Sequence, residues 1–494
     1  MRQRIFNKYL AAVLALLAIA AAYQRPAYCQ PISEGERINE LRRLRDELRA
    51  SESLRNADIT VVMSERLIAN SARQMEGLEI QLSRSGVLHI NSIGIELLPA
   101  AAIVKIGVQA KSSINVNLLL TGRLGTGEVK GDLFQLPFQI TDVSISDGTF
   151  TSLLLRTFLG DWLTPKKWNE ELPPLELPLE IGEALRIRAS RFQVDGSLPM
   201  EISTPDYRSS LRFKLRSFLA LEKRLVLGLE MIREQATPKI IQASFTDSQA
   251  QDASALESEV ARLSEGLSCG RDLRLMVHRH VISRLLGQIA VAERNDFTID
   301  LKACRVRSEE VETLVKVTNY TDVESGSGYA DVSQLSIERI ADGLLDLRLS
   351  LRGEVDSRLR GREYGIPYRL SPRTAFSIED RIVQLQTISE GDRVVLCAAP
   401  GASLPINLRF SIKVAGREFG INRNTSVQMD RWLNRIEIPS FFGRQFSLPR
   451  RLEVDAGGNL YVTRSLKINF TISNMVVETT GDAINIIADA SFSP

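Results

Sequence analysis

Histidine and cysteine are scarce in this chain, and the shortage removes whole classes of chemistry. Its 494 residues hold three histidines, His89, His278 and His280, and four cysteines. Nucleophile–base pairs and zinc sites draw on those two residue types, and no spacing here fits either. His278 and His280 stand two apart in "VHRHV". On a helix that spacing turns them to nearly opposite sides, and on a strand they share a face with no third ligand near. No GxSxG, HExxH or paired CxxC sequence is present. "TGRLGTGEVKG", residues 121–131, has glycines but lacks the Gly-Lys-Ser/Thr ending of a phosphate loop, and a hairpin turn accounts for it. Carboxylates are many but scattered, with no pair framed for acid–base work. The expectation is a protein that is not an enzyme and carries no metal or cofactor.

Charge of one sign is also missing. The formal net charge is +2 with acids and bases interspersed, which argues against nucleic acid as a partner. Aromatics are 6% of the chain, so the core is expected to be aliphatic. If Cys29 is removed, Cys269, Cys304 and Cys397 remain, an odd number that excludes a disulfide scaffold. Long apolar runs are absent except at the start, where "MRQRIFNK" is followed by "YLAAVLALLAIAAAY". A basic stretch ahead of a run of that length has the form of a secretory signal peptide, residues 1–29. The alternative is an uncleaved N-terminal anchor, since the run is somewhat short of the ~20 residues that span a bilayer. Either way export is expected, to the periplasm or the extracellular space, with a membrane tether in the second case.

What the sequence does contain is period two. Ala102, Val104, Ile106, Val108 and Ala110 alternate with Lys105, Gly107 and Gln109, and Ile114, Val116, Leu118 and Leu120 continue the pattern. Ile406, Leu408, Phe410, Ile412 and Val414 alternate with Asn407, Arg409, Ser411 and Lys413. Leu345 to Leu351 and Leu466 to Ile472 behave alike. Such strands have one dry and one wet face, as antiparallel sheets do. At ~3.3 Å per residue, runs of eight to twelve span roughly 25–40 Å. Basic residues on the wet faces (Arg212, Lys214, Arg216, Arg409 and Lys413) can meet headgroups at a membrane surface or simply solvate the sheet.

Helices are few and recur in matching places. Ser64 can cap a helix carrying Leu67, Ile68, Ser71, Ala72 and Met75 on one stripe, with Gly77 to stop it. Val281, Ile282, Leu285, Leu286 and Ile289 repeat those offsets 214 positions later. A second helix is expected in "TFTSLLLRTFLGDWL" before Pro165 and in "TSVQMDRWLNRI" before Pro439, each followed by a Pro-containing strand. This order reads as an internal duplication. The expected organisation is a charged amphipathic helix at 30–57, a first β-rich domain at 58–235, a polar, partly helical linker at 236–271, and a second β-rich domain with an insertion at 272–494. Two unrelated β-rich domains with generic patterning are the alternative.

Long one-sided strands, two short apolar helices per copy and two copies in tandem resemble the tubular lipid-binding superfamily, which includes bactericidal/permeability-increasing-type and synaptotagmin-like mitochondrial lipid-binding domains. The resemblance implies an α+β, predominantly β fold of two tandem, elongated, twisted antiparallel domains, each wrapping short helices around an apolar seam. It implies a lipid or other amphiphile as partner, with membrane-surface contact. Nothing here reproduces the disulfide of the bactericidal members. The small residues Ser71 and Ala72 leave room that Leu285 and Leu286 would close, so the cavity is expected in the first domain. Its expected lining is Leu67, Ile68, Ser71, Ala72 and Met75 from the helix. Val104, Ile106 and Val108 from the sheet join them, with Leu154 and Phe158 from the second helix. The alternative from another class is a non-catalytic exported scaffold with packed β-domains that binds protein partners.

Overall fold

A computed structural model describes residues 34–493 except 50–56, 84–85, 112–115, 125–127, 131–132, 137, 146–164, 166–174, 179, 188, 195, 233–251, 293–296, 313–315, 342, 392, 415, 433–435, 439–444 and 455–459. The fold is α+β and predominantly β, with a sheet curled into a half-barrel. Helix α1 (Glu34–Arg49) precedes strand β1 (Ile59–Ser64) and helix α2 (Glu65–Arg73). A meander follows: β2 (Glu79–Ser83), β3 (Gly86–Leu98), β4 (Ala101–Lys111), β5 (Val116–Leu124), β6 (Glu128–Lys130), β7 (Leu133–Leu136) and β8 (Phe138–Ile145). The first half closes with β9 (Leu175–Pro178), β10 (Glu180–Ile187), β11 (Ser190–Val194), β12 (Met200–Thr204), β13 (Tyr207–Leu221) and β14 (Arg224–Met231).

Helix α3 (Ala253–Leu263) leads to β15 (Leu273–His278) and helix α4 (Arg279–Ala292). Then come β16 (Phe297–Leu301), β17 (Cys304–Glu312), β18 (Lys316–Ala341), β19 (Leu344–Glu363), β20 (Ile366–Leu370), β21 (Arg373–Glu390) and β22 (Arg393–Ala398). A hairpin of β23 (Ser403–Val414) and β24 (Arg417–Gln428) precedes the short helix α5 (Met429–Trp432). The chain ends in β25 (Ile436–Ile438), β26 (Gln445–Val454), β27 (Leu460–Thr480) and β28 (Ala483–Ser493). The long strands exceed what their alternation predicted. β18 runs 26 residues, and three register shifts against β19 let the pair bend with the curl of the sheet.

The middle of the sheet is the antiparallel pair β1–β15, with Val61 opposite Leu275, Ile59 opposite Val277 and Met63 opposite Leu273. Ile59 and Leu273 head the two strand–helix units, so this register places a local twofold between Val61 and Leu275. The relation extends outward. β1 pairs with β14 and β15 with β28, and the strands beyond them, β13 and β27, each carry a bulge, at Leu215/Ser217 and at Ser473/Val476. Further out the symmetry stops. β2 joins β26 in parallel, carrying the first meander onto the second half's closing strands, whereas β10 pairs with β25, and β12 with β16.

Reciprocal clasps lock this centre. Asp272 is buried and accepts Arg66 Nε–H and Nη2–H, both at 2.8 Å, the Ser64 hydroxyl at 3.0 Å and the Ala490 N–H at 3.2 Å. Across the twofold, Asp58 is equally buried, bonds His280 Nε2 and accepts the Met231 N–H. Burial alone would raise the Asp272 carboxyl, but the hydrogen bonds from Arg66, Ala490 and Ser64 hold it below its usual range. His278, in the position Ser64 takes in the other unit, stacks on His280 with centroids 5.9 Å apart. Burial, then the neighbouring His280, pushes the His278 imidazole below its ordinary value, and its buried Nε2 has no partner.

Two apolar layers sit on either face of this centre. Ile59, Val61 and Met63 enter the main core with Leu67 of α2 and Val281, Ile282, Leu285 and Leu286 of α4. Val62 turns the other way, toward Leu41, Leu44 and Leu48 of α1 and Leu256 and Val260 of α3. Burial on both sides explains why "ITVVM" is buried without a break and carries no charged residue. Ser64 caps α2 as its sequence implies, accepting the Leu67 N–H at 3.1 Å. One expectation is corrected: of "TSVQMDRWLNRI", Thr425–Gln428 is strand, and the described helix covers only Met429–Trp432. Thr425 and Val427 face inward at period two, opposite Ile406 and Leu404, and tertiary pairing overrides the helical pattern. The helix expected before Pro165 lies outside the described residues.

Replacing Asp272 with Ala should cost about 2–4 kcal/mol in urea denaturation, because several charge-assisted bonds go and the buried Ala490 N–H is left unpaired. A histidine whose folded value lies below 6.5 binds protons better when unfolded. Its contribution is therefore complete above that value and is lost as pH falls. Stability should drop with acidification below that value, and His278→Ser should flatten the slope relative to wild type.

Candidate functional site

The β23–β24 hairpin stands apart from the main sheet as its own two-stranded sheet. Its inward face carries Leu404, Ile406, Leu408, Phe410 and Ile412, each at most 4% exposed. Ile421, Thr425 and Val427 lie on the same face of the returning strand, all buried. Opposite lie β21 and the ends of β11 and β17. Beneath the hairpin's base, where the two surfaces part, is a wholly apolar cavity of about 30 Å3 that opens to solvent. Phe192 and Ile202 of the first half and Phe297, Ile299, Ala330, Leu351 and Phe376 of the second form its floor; Leu404, Ile406 and Val427 form its roof. A cavity without polar lining gives water no partners and holds apolar matter best. Gly353 makes room for part of this floor, since a Cβ there would meet the Phe376 ring at 2.5 Å.

Both ends of the hairpin are tied down. At the base, Met429 N–H donates to Ala402 O at 2.9 Å and the Ser197 hydroxyl to Asn424 O at 2.7 Å. At the tip, Phe419 lies under the Arg307 guanidinium at 4.8 Å and edge-on to Tyr368 at 6.4 Å, while Arg417 covers Tyr364 at 5.4 Å. Arg307 is held from below by Glu363, at 3.1 Å, whose other oxygen accepts from the fully buried Asn319. The tip is thus fastened by side chains alone, and the base by one main-chain bond and one serine hydroxyl.

The described residues expected to line a cavity do not border this one. Leu67, Ala72, Met75, Val104, Ile106 and Val108 belong to the main core, with Ile68 packed against it, and none of them borders the cavity beneath the hairpin. Ser71 is 3% exposed, and its hydroxyl has no partner. Leu154 and Phe158 lie outside the described residues. Reading the sequence missed Phe192, Ile202, Phe297, Ile299 and Phe376. Their alternation was available, but nothing local says that four separate strands converge under one hairpin.

Among the described residues no group of three or more His, Cys, Asp or Glu could hold a metal ion, and the cavity lining offers no nucleophile. Cys269, Cys304 and Cys397 are free. No family model matches the chain, and no curated protein matches it. Among solved structures, the chain is similar to a lipopolysaccharide binding protein, with 89% of this chain and 99% of that one covered, at 10% identity and a TM-score of 0.26.

Burial pushes the Cys269 thiol up to about 11, and the thiol donates to Val62 O at 3.3 Å. At pH 8 iodoacetamide should therefore leave Cys269 unmodified in the folded protein and label it fully in urea, as peptide mass spectrometry would show.

Proposed function

We propose that this is an exported, non-catalytic protein that holds a lipid or other amphiphile, with the acyl chain in the apolar cavity under the β23–β24 hairpin. The observation that carries the reading is that cavity: ten apolar residues from both halves surround space that the protein's own side chains leave empty. Each methylene moved there from water contributes about 0.8 kcal/mol. The hairpin shares no ladder bonds with the main sheet, so lifting it costs mainly the exposure of its apolar face, which a bound acyl chain would cover again. Export rests on the basic-then-apolar pattern of the N-terminal sequence. We take the two halves to be copies of one unit, a proposal supported by the register of β1 with β15 and by the matched aspartate clasps.

A scaffold without cargo is the second reading, favoured by the dense packing of Leu67, Ala72, Met75, Val104 and Ile106, all at most 3% exposed. Organic extraction of the purified protein followed by mass spectrometry separates the two. Co-purifying amphiphile, or uptake of a fluorescent fatty acid, is expected; a protein that arrives empty and takes up none is a scaffold. Ala330→Leu, which fills the cavity floor, should weaken uptake at least about tenfold, through overpacking where the chain would lie. Ser71→Ala, in the first-half core, should leave uptake unchanged and stability unchanged or slightly raised, because it removes a buried hydroxyl that has no partner.

A further inference from the structure

Resting on the amphiphile reading above, we infer that the ligand is a single-chain amphiphile with an oxyanion headgroup, held by Arg423 beneath the hairpin. Along β24 the inward positions run Val427, Thr425, Arg423 at period two. Val427 roofs the cavity. The next inward residue, Thr425, is 6% exposed and its hydroxyl has no partner. The one after that is Arg423, half-buried on the hairpin's dry face, with its Nε sealed from solvent and unpartnered. Among the described residues no carboxylate pairs with this guanidinium.

An arginine turned inward with no anion to meet is costly unless something else supplies the charge. The nearby acid does not. Asp322 lies close enough to Cys304 to influence its thiol, as Arg423 does, but its carboxylate is taken by Arg305, whose Nε donates at 2.8 Å. The floor points the same way as the roof. Strand registers set Phe297, Ala330, Gly353 and Phe376 in one row and Ile299, Gly328, Val355 and Thr374 in the next. That step, continued along the chain, leads to Leu301 and Cys304, and Cys304 is the thiol that Arg423 pulls downward against its burial. Thr374, 4% exposed, also has an unpartnered hydroxyl. An apolar cavity therefore grades, in one direction on both surfaces, into two orphaned hydroxyls and an unpaired guanidinium. About 13–14 Å of strand separates Val427 from Arg423, a span that a ten-carbon chain and the arginine side chain bridge together. The planar guanidinium fork suits a carboxylate or a phosphate.

The test titrates the full-length protein by calorimetry at pH 7.5 with decanoate, decyl phosphate and 1-decanol, which share a chain and differ in headgroup. One or both anions should bind about ten- to a hundredfold tighter than the alcohol, and which anion leads tells carboxylate from phosphate. Arg423→Gln should erase that preference and leave the affinity for 1-decanol as it was, while Arg423→Lys should keep part of it. If all three bind equally to the wild type, the headgroup assignment falls and the amphiphile reading stands. If none of the three binds, both fall. Should Arg423→Gln not fold, the wild-type ratio and the Arg423→Lys titration decide the matter unaided.

Discussion

The structure depends on one antiparallel contact, that of β1, buried on both faces, with β15. Its register fixes where the two halves meet, and everything outside it follows by ladder bonds: β14, β13 and β10 to one side, β28, β27 and β26 to the other. Because each half's outer meander is then attached to the other half's closing strands, neither half has a core of its own. The cavity shows the consequence, since Phe192 and Ile202 from the first half complete a floor laid by the second. A cavity of this kind exists only when both halves are in place.

Electrostatics at the same junction are matched in place and unmatched in kind. Each half's buried aspartate is bonded by a side chain from the other half's helix start, Arg66 in one case and His280 in the other. Arginine stays charged at every relevant pH, whereas the histidine clasp sits beside a second histidine whose proton affinity is lowered by burial. One side of the junction is therefore indifferent to mild acid and the other is not. The hairpin is fastened differently again, by stacking of Arg307 and Arg417 on aromatic rings. Those contacts are individually weak, and most of the hairpin's attachment comes from its buried apolar face, Leu404 to Ile412.

Much of the fold was legible from local pattern. Alternation located β4, β19, β23 and β27, the Ser64 cap placed the start of α2, and equal offsets marked the two strand–helix units. The apolar stripe of α1 does pack on a neighbouring helix, through Leu41, Leu44 and Leu48. The site was far less legible. Ser71 and Ala72 are small, which by itself says nothing about whether neighbouring side chains close in, and Ile90, Ile93 and Leu97 of β3 sit in the core beside them. Thr425 and Val427 were hidden in a run with helical spacing, so the inward face of β24 and Arg423 upon it went unread. Convergence of strands distant in sequence is a property of register, and no window of sequence carries it.

The central claim is that the space under the β23–β24 hairpin is where cargo lies. The most direct measurement is the anomalous scattering of bromine from crystals grown with 10-bromodecanoate. The account predicts a bromine peak in van der Waals contact with Phe297, Phe376 and Val427, with the carboxylate toward Arg423. A peak along α2 beside Ser71 and Ala72, or an undistorted hairpin with no bromine beneath it, would contradict it.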